Sequence, residues 1–215
     1  MVMKIQLTAS EKTLLVIIAI SSWLALVGQL YLIIVNRTTS LPEAIARYFT
    51  FFTILTNILV ALCGSYIILD SSSRLGTFFS KQSVQAAVAV NILVVGIVYN
   101  TVLRSIWNPQ GMQRIVDELL HLVVPMLFVF YWCVFARKDQ LQWNNIFGWL
   151  LYPLLYFVVV LIRGAFSGYY PYPFIDAITL GYKAAFVNSG ILTVAFFLLA
   201  LLFVGIGKMS SKKSI

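Results

Sequence analysis

Six long runs of apolar residues follow one another along the chain, separated by short segments that are richer in polar and charged residues. Each run approaches or exceeds the roughly 20 residues that cross a bilayer as an α-helix. The pattern predicts membrane-spanning helices at Thr13–Val35, Ile45–Leu69, Val84–Ile106, Ile115–Ala136, Ile146–Arg163 and Ala184–Ile206. Barrel strands would instead alternate over about 10 residues. We therefore expect an all-α bundle of six transmembrane helices that forms one domain over residues 1–215.

The composition places the chain in the same class. Apolar residues make up 61% of the 215 residues and charged residues only 10%, which is typical of an integral membrane protein. The first run follows Lys4 and Lys12 as a secretory signal would. Its apolar part is longer than the ~7–15 residues of a signal core and lacks a small-residue cleavage site, so we expect it to be retained as an anchor.

The basic residues predict the orientation, because cytoplasmic segments near the membrane carry the excess of lysine and arginine. One side has nine: Lys4, Lys12, Arg74, Lys81, Arg137, Lys138, Lys208, Lys212 and Lys213. The other side has six: Arg37, Arg47, Arg104, Arg114, Arg163 and Lys183. Both termini are therefore predicted to be cytoplasmic. The net charge of +8 indicates this topology and attraction to anionic headgroups, and we expect no nucleic-acid partner.

This topology gathers polar residues from several helices at the extracytoplasmic end of the bundle. The cluster comprises Arg47, Thr50, Arg104, Asp117, His121 and Arg163. At ~1.5 Å of rise per residue, Thr50 and His121 each lie about 8–9 Å from the predicted start of their helix and share a depth. An ionisable side chain there is costly unless it faces a partner or a water-filled cavity, so the cluster is a candidate functional site.

His121 is the single histidine of the chain, which excludes a multi-histidine metal site, and the two cysteines have no metal-ligand spacing. We expect neither a metal nor a cofactor. Asp117 precedes His121 by four residues, so its carboxylate is predicted to orient the imidazole as in hydrolase triads. The alternative is a buried, hydrogen-bonded histidine with a structural role.

A polar stripe runs along the second predicted helix, where Thr50, Thr53 and Asn57 share one face. Threonines in membrane helices often hydrogen-bond the preceding turn, and Asn57 is predicted to join neighbouring helices. Thr50 lies nearest the outer end. A hydroxyl beside an imidazole is the minimum machinery for acyl transfer, although the chain has no G-x-S-x-G sequence of the soluble esterases.

Four segments carry a resemblance to a known family. They are YFTFFTILTN at Tyr48–Asn57, DELLHLVVPMLFVFYW at Asp117–Trp132, YPLLYFVVVLIRGAFSGYYPYPFID at Tyr152–Asp176 and GYKAAFVN at Gly181–Asn188. Through them the chain resembles the Pr6Pr family of prokaryotic membrane proteins. That family is similar, more distantly, to the androgen-induced-gene (FAR-17a) type membrane proteins, whose animal members hydrolyse fatty acid esters of hydroxy fatty acids.

The resemblance implies a threonine nucleophile and a histidine base. The hydrolase threonine follows leucine and precedes phenylalanine early in a helix, which matches Thr50 between Phe49 and Phe51. The hydrolase histidine opens a later helix and is followed by proline, which matches His121 and Pro125. Membrane lipids would then be the partners, and a lipid ester the substrate, in a prokaryotic cytoplasmic membrane.

Other roles follow less directly from the residues. Arg104, Arg163 or Tyr172 is expected to supply the donors for an oxyanion, and the sequence does not select among them. Asp176 and Arg163 are expected to brace the tyrosine- and proline-rich loop at Gly168–Phe174. The alternative function is a non-enzymatic membrane protein that binds or transports a lipid or small ligand in the same polar pocket.

Overall fold

The structure is a computed structural model that describes residues 7–212, with side chains as far as residue 210. Six of its helices are long and apolar enough to cross a membrane, which confirms the predicted number. They are Ala9–Val35, Phe52–Leu69, Gln82–Leu103, Gly111–Val134, Asn145–Ser167 and Tyr182–Ser210. Within the described range no residue forms a β-strand. The basic residues Lys4 and Lys213 and the side chain of Lys212 lie outside the described part.

The helices group into two compact units, Met1–Gln140 and Leu141–Ile215. In the first unit the elements are α1 (Ala9–Val35), α2 (Leu41–Tyr48), α3 (Phe52–Leu69), α4 (Arg74–Phe79), α5 (Gln82–Val98), α6 (Gly111–Glu118) and α7 (Val124–Val134). A first π-helical segment, Tyr99–Leu103, extends α5, and a second, Leu119–Val123, joins α6 to α7. The single transmembrane domain stays a prediction.

The second predicted helix is interrupted in the structure, because α2 ends at Tyr48 and α3 begins at Phe52. Phe51 has an extended backbone with ψ of 124°, which breaks the helical path. The start of α2 has its own signals: the Ser40 side chain accepts from the Glu43 N–H, and a proline stands in the first turn. The prediction of one helix from Ile45 to Leu69 is therefore wrong at its N-terminal end.

The core of the first unit forms where α1, α2, α3 and the α6 region meet. Its buried cluster consists of Ala25, Leu26, Tyr48, Ile54, Ala61, Val116 and Leu120. The Tyr48 hydroxyl donates to the Leu26 carbonyl at 2.9 Å, so the one polar atom that this ring brings into the cluster is satisfied. A Cβ on Gly64 would lie 3.3 Å from the Ala19 Cβ, so glycine allows α1 and α3 to approach closely.

The outer surface of the first unit is strongly apolar. On α1 alone the exposed large residues include Ile17, Ile20, Leu24, Val27 and Tyr31, which follow one helical face. A soluble monomer rarely exposes a continuous apolar stripe of this length. The six helices and this surface together indicate an integral membrane protein.

The second unit consists of α8 (Asn145–Ser167), a 3₁₀ turn (Pro173–Ile175), α9 (Ala177–Leu180) and α10 (Tyr182–Lys212). Helix α8 ends at Ser167 and is followed by Gly168, whose φ of 67° is a left-handed conformation that glycine adopts without a Cβ penalty. A Cβ on Gly164 would overlap the Tyr170 ring. The ring of the loop that follows α8 therefore packs directly onto its last turn.

Candidate functional site

Pro125 determines the backbone around His121. Proline has no N–H, so it cannot donate to the carbonyl of His121 four residues earlier. The Val124 N–H reaches back five residues to the Leu119 carbonyl, as a π-helix requires. The carbonyls of both Leu120 and His121 consequently lose their α-helical donors, and buried carbonyls need replacements.

Two asparagines supply these donors from neighbouring elements. Asn57 of α3 is fully buried, and its Nδ2 donates to the Leu120 carbonyl at 3.2 Å and to the Thr53 carbonyl at 2.8 Å. The Nδ2 of Asn100, from the first π segment, donates to the His121 carbonyl at 3.2 Å. Neighbouring helices commonly satisfy groups freed by proline in this way. The predicted role of Asn57 in joining helices is confirmed.

Helix α5 lies close against this segment because residue 96 is glycine. A Cβ there would lie 3.3 Å from the His121 carbonyl oxygen and 3.2 Å from the Pro125 Cβ. Both neighbours are rigid, one being backbone and the other a proline ring. The small residue thus lets the two π segments, at the end of α5 and before α7, come into contact.

The imidazole of His121 is buried and held in one tautomer. Its Nδ1 lies 2.9 Å from the backbone carbonyl of Asp117. Since a carbonyl only accepts, Nδ1 carries the proton of that bond, and in the neutral ring Nε2 keeps its lone pair. The Tyr99 ring stacks on the imidazole at 3.9 Å between centroids, with 13° between the planes. The structure thus presents Nε2 as the basic atom.

Asp117 contributes differently from the prediction. Its carboxylate accepts from Trp107 Nε1 at 2.6 Å and from Gln113 Nε2 at 3.1 Å, while its backbone carbonyl holds His121. Gln113 also donates to Gln29 on α1 at 2.8 Å. Side chains in a helix lean towards its N-terminus, so the histidine meets the carbonyl four residues back before it meets the carboxylate.

Arg104 belongs to the same cluster. Its Nη2 donates to both carboxylate oxygens of Glu118 at 2.6 Å. The guanidinium carbon lies 5.6 Å from the centroid of the Tyr99 ring, a cation–π distance. Of the three predicted oxyanion donors, Arg104 is the one that the first unit places beside the ring that stacks on His121.

Thr50 lies in the break between α2 and α3. It is buried, and its Oγ1 donates to the Ala46 carbonyl at 2.8 Å. Tyr48, two residues earlier, and Leu120, next to His121, pack in the same buried cluster. The predicted depth of His121 assumed that its helix begins at Ile115. In the structure α6 begins at Gly111, which places His121 ~15 Å from the start of that helix. The equal depth of the two side chains stays a prediction.

Three of the predicted residues, Arg163, Tyr172 and Asp176, lie in the second unit. Arg163 Nη1 donates to Ser167 Oγ at 3.2 Å, and its guanidinium faces the Tyr169 ring at 5.8 Å. Tyr172 is buried and stacks on Phe174 at 5.2 Å. These contacts fit the predicted bracing of the loop after α8, while the oxyanion role of Arg163 and Tyr172 stays a prediction.

Asp176 caps α9. Its Oδ1 accepts from the backbone N–H groups of Ile178 and Thr179, and its Oδ2 accepts from the Thr179 hydroxyl at 2.6 Å. The hydroxyl bond, followed by the backbone bonds, lowers the pKa of Asp176 below its ordinary value. Its side-chain bonds thus cap α9, and the expected bracing of the loop by Asp176 stays a prediction.

We expect Asp176→Ala to lower the free energy of unfolding by about 1 kcal/mol, as loss of an N-cap does. Because the folded-state pKa is lowered, the ionised carboxylate contributes stability above its ordinary pKa and loses it as the pH falls through the folded value. Asp176→Asn keeps the cap acceptor without the charge. Thermal unfolding in detergent from pH 7 to pH 3 should therefore show a smaller acid loss for the asparagine variant than for the parent protein.

Five residues of the cluster were not singled out from the sequence: Tyr99, Asn100, Trp107, Gln113 and Glu118. A proline four residues after a helical histidine does signal freed carbonyls, and buried asparagines are suitable donors for them. Among residues 7–212 no group of three histidine, cysteine, aspartate or glutamate side chains could hold a metal ion.

No protein-family model, curated protein or solved structure matches the chain. The family resemblance therefore stays a prediction.

Proposed function

We propose that the protein is an intramembrane hydrolase of lipid esters, of the fatty acid ester of hydroxy fatty acid type, in which Thr50 is the nucleophile and His121 the general base. The observation that carries the proposal is the imidazole, which is buried, fixed in plane and tautomer, and left with Nε2 as its basic atom. A nucleophilic hydroxyl needs such a base. The resemblance to the membrane threonine hydrolases supports the same pair.

The reaction consists of two acyl transfers. His121 Nε2 takes the proton of Thr50 as Oγ1 attacks the ester carbonyl, and the imidazolium then protonates the leaving alkoxide. This step releases the hydroxy lipid and leaves an acyl-threonine. Water, deprotonated by the same nitrogen, attacks that ester, and the threonine hydroxyl is regenerated as the carboxylic acid leaves.

This cycle requires a rotation of the Thr50 hydroxyl and donors for the oxyanion. The Thr50 hydroxyl turns its proton from the Ala46 carbonyl to the imidazole, which rotation about χ1 or the C–O bond allows. The oxyanion needs fixed donors, and the N–H groups of Arg104 are the proposed source in the first unit.

The proposed setting is a prokaryotic cytoplasmic membrane with both termini in the cytoplasm. The excess of lysine and arginine on the side of the termini supports this orientation. The site then lies towards the extracytoplasmic side. Membrane lipids are the surroundings and the source of substrate, which reaches the bundle laterally.

Turnover tests the proposal directly. Purified protein in lipid vesicles is given a fluorogenic long-chain acyl ester and an ester of a hydroxy fatty acid, and released acid is measured by mass spectrometry. The proposal requires that each protein molecule releases many molecules of acid, at a rate above that of empty vesicles. A folded protein that retains these lipids without hydrolysing them would instead support the non-enzymatic lipid-binding function.

We expect Asp117→Asn to retain activity within about tenfold of the parent protein. In a triad whose carboxylate holds the imidazole, the same change costs about 10⁴-fold. Here the backbone carbonyl of residue 117 holds Nδ1, and that carbonyl is present in both proteins. Initial rates of hydrolysis compare the two, and a loss of 10³-fold or more would contradict the carbonyl-held arrangement.

A further inference from the structure

The two π segments place an aromatic ring directly on the imidazole. Tyr99 begins the first segment and His121 is central in the second. Their centroid distance of 3.9 Å is shorter than the ~4.5–7 Å usual for aromatic pairs, and the planes differ by only 13°. Tyr99 is 4% exposed, so the ring is enclosed by protein as well as by its partner.

The hydrogen bond from Nδ1 does not by itself fix the imidazole. A single bond to a carbonyl leaves the ring free to rock about the Cβ–Cγ bond, a torsion with a broad energy minimum. A second ring packed face to face removes that motion, because rocking would bring the two faces into overlap. The plane of the base, and with it the direction of Nε2, is thus set by Tyr99.

Arg104 holds Tyr99 through two contacts. The Tyr99 backbone carbonyl accepts the Arg104 N–H at 2.8 Å, closing the π turn. The Arg104 guanidinium carbon lies 5.6 Å from the centroid of the Tyr99 ring. Arg104 therefore contacts Tyr99 through both its backbone and its side chain.

We propose that Tyr99 is a positioning residue for the base of this site, holding the His121 imidazole in the plane from which Nε2 takes the threonine proton. The inference rests on the proposed function, since the plane matters for turnover only if His121 is the base. The stacking ring is the part of Tyr99 that acts on the imidazole.

The kinetic test compares Tyr99→Phe with Tyr99→Leu. Phenylalanine keeps the stacked ring, so its kcat is expected within about threefold of the parent protein. Leucine removes the flat partner, and kcat is expected to fall about 10- to 100-fold with KM within about twofold, as for a misplaced catalytic group. Tyr66→Leu is the matched control, because Tyr66 stacks on Phe79 at 6.1 Å elsewhere in the first unit.

An NMR measurement reads the stack without turnover. Because the chain has a single histidine, selective ¹⁵N and ¹³C histidine labelling reports one imidazole. The parent protein and Tyr99→Phe are expected to show the Nδ1–H tautomer and ring protons shifted upfield by the neighbouring ring. Tyr99→Leu should lose the upfield shift while thermal unfolding shows that it is folded.

Each outcome decides between distinct claims. Loss of kcat and of the ring shift in the leucine variant, with both restored by phenylalanine, supports the positioning role. A folded leucine variant with unchanged kcat, or unchanged imidazole signals, overturns it. A parent protein that shows the fixed imidazole but hydrolyses no ester overturns the proposed function, while the control of the imidazole by Tyr99 stands.

Discussion

Thr50→Ala and His121→Ala are each expected to reduce ester hydrolysis by about 10³-fold or more, to the rate of empty vesicles. The first change removes the attacking oxygen, and the second removes the group that accepts its proton. Because the two act as a unit, the double variant should be no slower than the worse single variant. Steady-state rates on the fluorogenic ester in vesicles measure all three.

The control for this prediction is Thr13→Ala. Thr13 makes the same local bond as Thr50, from its Oγ1 to the carbonyl four residues earlier, at 2.9 Å. It lies near the N-terminal end of α1. This variant should keep the parental rate. Thr50→Ser, which retains a hydroxyl, should recover part of the activity. Full activity in folded Thr50→Ala protein would remove threonine from the mechanism.

Asn57→Leu is expected to lower the free energy of unfolding by about 1–3 kcal/mol, the usual cost of leaving a buried carbonyl without its donor. Leucine has a similar volume, so the loss reports the hydrogen bond to the Leu120 carbonyl more than a cavity. The backbone next to His121 should loosen as well, and the hydrolysis rate should fall with it. Titration with SDS in mixed micelles measures the stability.

Asn91→Leu is the matched control. Asn91 is also buried in the first unit, but among the described residues its Nδ2 donates only to the Ala87 carbonyl of its own helix. The Oδ1 atoms of Asn57 and Asn91 are alike in having no hydrogen-bond partner within the described structure. Its replacement is expected to change the free energy of unfolding by less than about 0.5 kcal/mol. Equal effects of the two substitutions would show that the bond from Asn57 to the second π segment contributes nothing.

Much of the fold follows from the hydrophobic pattern, because only long apolar helices satisfy their backbone groups inside a bilayer. The pattern located six spans but not the break at Phe49–Phe51, where the apolar run continues without a gap. The start of α2 does have a local signature in Ser40, Pro42 and Glu43. These residues precede the apolar run that begins at Ile45, so hydropathy alone placed the start of the helix too late.

The site was predicted only in part because helical faces were counted with α-helical spacing. Each π segment inserts a residue into the turn, so a face counted across it is displaced by one position. His121 and Asn57 could be found by their rarity and polarity in apolar helices. Tyr99 could not be found in this way, since nothing in its own segment shows that the first π segment contacts the second.

Asp117 shows a further limit of the sequence. Its spacing from His121 correctly places the two residues on one helical turn, yet a spacing does not distinguish a carboxylate from the backbone carbonyl of the same residue. The carboxylate is instead engaged by Trp107, which lies ten residues earlier in a loop. Such a contact depends on the path of that loop, and no periodic pattern predicts it.

The most direct test of the central claim is to treat the protein in vesicles with a fluorophosphonate probe and to map the adduct by mass spectrometry. The proposed mechanism requires a covalent adduct on Thr50 in the parent protein and none in folded His121→Ala. An adduct at another residue, or no adduct on protein that is folded and inserted, would contradict the claim that Thr50 and His121 form a nucleophile and its base.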